Sequence, residues 1–161
     1  MASDFLLELD GIKGESKDTK HKDTIEIQSF SWGATNSGSA GTGGGAGIGK
    51  VSFQDIHFTS RVNKASALLA LHCATGKHIT KAQLFVRKQG EGQQDFYVIA
   101  LEDLLVSSFQ SSDATGGDLP TDQFSLNFAK IKFEYKMQNE KGGLEAPQTF
   151  GWDLKANKKT G

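Results

Sequence analysis

Apolar and polar residues alternate through most of this chain with the period of two that a half-buried β-strand requires. Phe5–Leu9 is a short apolar stretch. Between Ile25 and Trp32, Ile25 and Ile27 share one face while Glu26 and Gln28 share the other. Val51 and Phe53 are in phase, but Ile56 and Phe58 fall on the opposite parity, so the slip near Gln54 and Asp55 predicts a β-bulge. Ala82–Arg87 and Asp95–Val106 predict further strands. In the second of these, Phe96 and Val98 oppose Tyr97, Ile99 and Leu101, which makes both faces apolar. A strand of that kind is covered on both sides, as in a barrel, a sandwich or an interface.

The longest such segment changes phase in the middle. Phe124, Leu126 and Phe128 share one parity, whereas Ile131, Phe133, Tyr135 and Met137 share the other. A run of this length with one switch, near Ala129 and Lys130, predicts a strand that bends at a barrel corner or crosses between two sheets. Helical spacing is convincing in one place only. Ala65, Leu68, Leu69, His72 and Cys73 follow Asn63, a candidate N-cap, and Gly76 supplies a left-handed stop with Lys77 beside it. The predicted fold is mainly β: a small β-barrel of two packed antiparallel sheets with one flanking α-helix, closed or nearly so, in a single domain over residues 1–161.

Two connections stand out. Lys13–Asp23 carries both charge signs and predicts a solvated loop. Ala34–Lys50 holds six glycines between Gly41 and Gly49, namely Gly41, Gly43, Gly44, Gly45, Gly47 and Gly49, and has no core-forming residue before Ile48. Loops this long are uncommon in compact domains unless they have a role. Gly44–Lys50 matches the first seven positions of a phosphate-binding loop, but Val51 stands where Ser or Thr should hold magnesium. The residues after Lys50 also alternate like a strand, whereas such a loop must open a helix whose N-terminus faces the phosphate. A contact loop that orders on assembly is the better reading.

Composition removes other classes. With 18 Lys and Arg against 19 Asp and Glu, the chain has no basic excess with which to attract nucleic acid or an anionic membrane. The single cysteine, Cys73, excludes an intramolecular disulfide and any need for an oxidising compartment. The N-terminal apolar run is too short for a cleaved signal or a spanning helix. His21, His57, His72 and His78 have no ligand spacing, and Ser107, Ser108, Ser111 and Ser112 have no nearby His with an orienting acid. No catalytic residue, metal site or cofactor is predicted. Trp32 and Trp152 are expected as core or interface anchors, and Lys155, Lys158 and Lys159 as a solvated tail. What is left is more apolar strand surface than one helix can cover, and identical copies are the simplest cover for it.

Several segments in order resemble a known family: Asp10-Gly11-Ile12-Lys13-Gly14-Glu15-Ser16, His21-Lys22-Asp23, Ser29-Phe30-Ser31-Trp32-Gly33, Gly76-Lys77-His78-Ile79, Val86-Arg87-Lys88, Leu101–Ser108, Ser125–Ile131 and Gly151-Trp152-Asp153-Leu154. Across nearly its whole length the chain is similar to the haemolysin-coregulated protein (Hcp) family, the inner-tube proteins of the bacterial type VI secretion system. The resemblance implies a barrel like that of phage tail-tube subunits and a hexameric ring with an open centre. It also implies stacking of rings into a tube capped by a spike and propelled by a contractile sheath, with small effectors carried inside. Such a protein is assembled in the bacterial cytoplasm and secreted without a cleaved signal peptide. The resemblance places Ser31 on the lumen wall, and the loop with Gly41, Gly43, Gly44, Gly45, Gly47, Gly49 and Lys50 against the next ring. Where the family often has Trp-Ser-Trp, this chain has Phe30-Ser31-Trp32. The chain ends soon after Trp152, so no C-terminal toxin domain is expected. The rivals are a monomeric β-barrel carrier of a small hydrophobic ligand and a nucleotide-dependent enzyme.

Overall fold

A computed structural model describes residues 3–38, 50–88 and 93–161. The alternating segments form strands β1 (Ser3–Leu9), β2 (Ile25–Ile27), β3 (Ser29–Ser31), β4 (Ala34–Asn36), β5 (Val51–Phe53) and β6 (Ile56–Arg61). Helix α1 (Ser66–Thr75) follows, then β7 (Ile79–Lys88), β8 (Asp95–Ser112), β9 (Thr121–Gln138), β10 (Leu144–Asp153) and β11 (Lys158–Lys159). Among the described residues every ladder is antiparallel. Nine strands form one sheet in the order β11-β10-β9-β8-β7-β1-β2, with β6 pairing both β9 and β3, and β4 and β5 form a separate two-stranded sheet.

The large sheet curls round on itself, but among the described residues no continuous ladder closes it into a barrel. β2 pairs with β1, and β3 pairs with β6. The seam lies at Gln28 between them, whose N–H donates to the Thr59 carbonyl at 2.8 Å. The expected mainly β architecture with one helix is present, in the nearly closed form.

The register shows what fills the inside. Ile25, Leu7, Leu84, Ile99, Phe133 and Phe150 sit opposite one another across six strands, and Leu9, Ala82, Leu101, Ile131 and Trp152 form the next inward row. A third row, from β3 through β6 and β9 to β8, is Phe30, Phe58, Phe124 and Phe109. In it Phe58 and Phe124 stack with ring centroids 5.2 Å apart. Burial of these side chains is the main force that holds the sheet curled, at roughly 25 cal/mol per Å² of apolar surface removed from water.

β8 and β9 change face together. β9 buries Phe124, Leu126 and Phe128, then Ile131, so the switch at Ala129 and Lys130 occurs where the alternation predicted it. On β8 the buried residues pass from Leu101 to Leu104, and Asp103 between them takes a left-handed φ of 57°. The outer edge of β9 changes partner at this rung: before it, β9 pairs with β6, and after it with β10. The slip at Gln54 and Asp55 is a full break, not a bulge, because β5 pairs with β4 whereas β6 pairs with β3 and β9.

The helix starts later than predicted. Its N-cap is Ala65, and Asn63 caps the turn before it, with Oδ1 accepting from the Ala65 N–H at 2.8 Å. Gly76 ends the helix at φ 68°, its N–H donating to the His72 carbonyl. α1 buries Leu69 and His72 and packs on β8.

The segment from Lys13 to Asp23 is not the solvated loop its charges predicted. Ile12, Gly14 and Ser16 are buried in alternation, and Asp18 is ion-paired with Arg87, itself buried on β7. His21 stacks on Phe85 at 3.9 Å and bonds Asp95 at 2.8 Å. The pairing partners lie about seventy residues away in sequence, beyond the reach of local composition.

Candidate assembly surface

The curled sheet turns two different surfaces outward, divided at the rung where β8 and β9 change face. On one side of it, Ser31 of β3 lies opposite His57 of β6, then Ser125 of β9, then Ser108 of β8. The neighbouring outward row is Ser29, Thr59, Gln123 and Gln110. The two rows contain no carboxylate, amine or guanidinium. They form a wall of neutral hydrogen-bonding groups laid directly over the phenylalanine row. Ser125 is buried within it, and its hydroxyl meets those of Ser107, at 2.7 Å, and Ser108. Asp55 closes one end of the wall, with its carboxylate accepting from Ser107 Oγ at 2.7 Å and Asn127 Nδ2 at 2.8 Å.

On the other side of that rung the outward row alternates in charge. Lys81, Glu102, Lys130, Asp153 and Lys158 face one another across β7 to β11, and the Asp10 N–H bonds the Lys81 carbonyl at the near end. Lys130 lies 4.0 Å from Glu102 and 3.9 Å from Asp153. Opposite charges directly across an antiparallel pair stabilise it by a few tenths of a kcal/mol each. Asp103 sits at the divide, 3.3 Å from Lys155 and 3.6 Å from His78. The hydrogen bond and charge of Lys155, and then His78, hold its carboxyl below the usual range.

Ladder edges remain open on both sides. Among the described residues, β8 from Leu105 to Ser112 pairs only with β9, and β10 pairs with β11 only at Trp152 and Asp153. Unpaired edges are templates for strands of another chain. Pro147 interrupts one of them.

Of the residues singled out from the sequence, Ser31 is exposed in the neutral wall. Gly41, Gly43, Gly44, Gly45, Gly47 and Gly49 lie outside the described residues. Lys50 is exposed just before β5, on the two-stranded sheet that joins Ala34–Asn36 to Val51–Phe53 across that segment. The structure does not bring Lys50 to Ser31. Sequence reasoning missed His57, Thr59, Gln123, Ser108 and Gln110. Their period of two was visible, but only the register shows them side by side. Trp32, stacked with Phe53 at 6.4 Å and near Phe133 at 5.9 Å, is a partly buried aromatic packed against the core.

A family model described as type VI secretion system effector, Hcp, matches residues 6–135. The chain belongs to the Hcp family. Protein Hcp1 of Pseudomonas aeruginosa is 38% identical over 159 residues, 98% of each chain. A solved structure described as a type six secretion system protein has a TM-score of 0.93 at 32% identity, over 99% of this chain and all of the other. Hcp1 from Salmonella typhimurium has a TM-score of 0.81 at 35% identity, with coverage of 99% and 100%. The resemblance carried by the ordered motifs is therefore real, and the Hcp fold is the one built here from alternation, phase switch and single helix. Hcp proteins are secreted tube or effector proteins of type VI secretion, and among the described residues no helix is long and apolar enough to cross a membrane.

Proposed function

We propose that this Hcp-family chain is the structural subunit of a type VI secretion tube, and that six copies close into a ring whose neutral wall faces a central opening. The observation that carries this reading is the uncharged wall of β3, β6, β9 and β8, which ends on an unpaired edge of β8. A neighbouring copy that continues this sheet extends the wall around a pore. Head-to-tail contact of this kind closes into a ring, and an obligate interface of this kind buries upward of ~2,000 Å². Six comes from the family resemblance. Rings then stack into a tube through the segment bearing Gly41–Gly49 and Lys50, with the spike and contractile sheath as further partners. Small effector proteins ride inside against Ser31. The ring assembles in the bacterial cytoplasm and leaves the cell without a cleaved signal peptide. The role is conduit and carrier, not catalyst.

The monomeric carrier has less support, because Phe58, Phe124, Leu84, Ile99, Leu104 and Leu126 occupy the space inside the curled sheet where a ligand would sit. Light scattering on the purified protein at micromolar concentration tests the proposal. A mass near six chains supports it, and a monomer contradicts it.

A further inference from the structure

The neutral wall has one member that can change charge. His57 is exposed in the row Ser31, His57, Ser125, Ser108, and lines an open depression of about 330 Å³ with Thr59, Ser108, Gln110 and Gln123. Among the described residues, the elements on either side give it no charged neighbour: β3 presents Ser29 and Ser31, β9 presents Gln123, Ser125 and Asn127, and β8 presents Ser107, Ser108 and Gln110. The charged groups nearest in sequence are on its own strand and its approach, and both are engaged. Asp55 accepts from Ser107 and Asn127, and Arg61 pairs with Asp118 at 3.8 Å.

A wall whose two outward rows carry no charge, with the Asp55 carboxylate engaged at its end, recognises cargo through hydroxyl, amide and main-chain hydrogen bonds, and so discriminates little between acidic and basic proteins. Histidine is the side chain whose charge ordinarily changes between about pH 5 and 8. One proton on each His57 turns the wall into a belt of positive charge. At physiological ionic strength the Debye length is about 8 Å, so that belt acts on cargo touching the wall and not on the outside of the ring.

We propose that His57 sets the charge selectivity of the pore wall: unprotonated, it admits polar cargo of either sign, and protonated, it favours anionic polypeptide over cationic polypeptide. This rests on the reading that the wall faces the opening, and the test separates the two. The probes are two fluorescent glycine–serine peptides, one carrying lysines and one glutamates, and binding to the purified assembly is followed by anisotropy at pH 8 and near pH 5.5. The ratio of glutamate-peptide to lysine-peptide binding should rise roughly threefold or more on acidification, given one new charge per protomer in contact with the peptide. High salt should cancel the rise. His57→Gln should hold the ratio constant across the same range, and Ser31→Trp should reduce binding of both peptides. If Ser31→Trp blocks binding but the ratio does not change with pH, or still changes in His57→Gln, the assignment to His57 is wrong while the pore reading stands. If Ser31→Trp leaves binding intact, or neither peptide binds, the wall is not the cargo surface and both readings fall.

Discussion

Asp18 and Arg87 show how much one pair can hold. Arg87 has 5% of its side chain exposed and Asp18 12%, and the Asp18 carboxylate also accepts from the N–H groups of Lys20 and His21. The hydrogen bond from Arg87, with those backbone bonds and the Arg87 charge, lowers the Asp18 pKa from 3.8 to about 2 against the cost of burial. A carboxyl with a lower pKa in the folded state stabilises fully above its unfolded pKa and loses that contribution as pH falls through the folded one. Stability should therefore drop by about 2 kcal/mol between roughly pH 4 and pH 2 from this group alone. Asp18→Asn, which strands a buried guanidinium, should cost about 3 kcal/mol at neutral pH and flatten that acid slope in urea unfolding at fixed protein concentration. A slope equal to that of the parent would remove the pair from the account. Glycines divide in the same way. A Cβ on Gly14 would lie 2.4 Å from the Thr24 carbonyl oxygen, whereas one on Gly76 meets open space at φ 68°. Gly14→Ala should cost at least about 2 kcal/mol, and Gly76→Ala only the left-handed penalty of about 1–2 kcal/mol, by the same unfolding measurement. Neither Gly14 nor Asp18 was legible in the sequence, because Asp18 is held by Arg87 on the distant β7 and Gly14 by the Thr24 and Ile25 backbone, which only the fold brings against it.

Among elements, legibility followed burial. The face change at Ala129 and the Gly76 stop could be read directly, because apolar parity and a glycine after a helix are local signals. β10 could not be read: residues 145–149 are all exposed, so no alternation marks them. The end of β8 beyond Val106 was missed for a related reason. The ladder slips between Val106 and Ser108, and the residues that follow are mostly polar. The break at Gln54 was visible as a phase slip, but its meaning, a change of partner strand, depends on β4 and β9. The Gly41–Gly49 segment is the element-scale test of stacking. Because β4 and β5 pair independently of β6, shortening this segment should leave the ring mass in light scattering unchanged while reducing tube length in electron micrographs. Loss of the ring itself would show that the segment does something else.

For the whole molecule, alternation and one helix were enough to predict the fold class, and the ordered motifs were enough to point to the family. The division of the outer surface was not available from them. It exists because β8 and β9 run through both halves and switch face at one rung, setting neutral rows over the phenylalanines on one side and alternating charges on the other. A neutral wall bounded by an open strand edge suits a pore shared among copies, and a self-paired charged surface suits an exterior in contact with water. The direct test is electron microscopy of end-on particles with a gold label on Ser31→Cys, in a chain whose native Cys73 is replaced by alanine. The account predicts rings with a central opening and the label inside it; solid particles, or label on the outer rim, would contradict it.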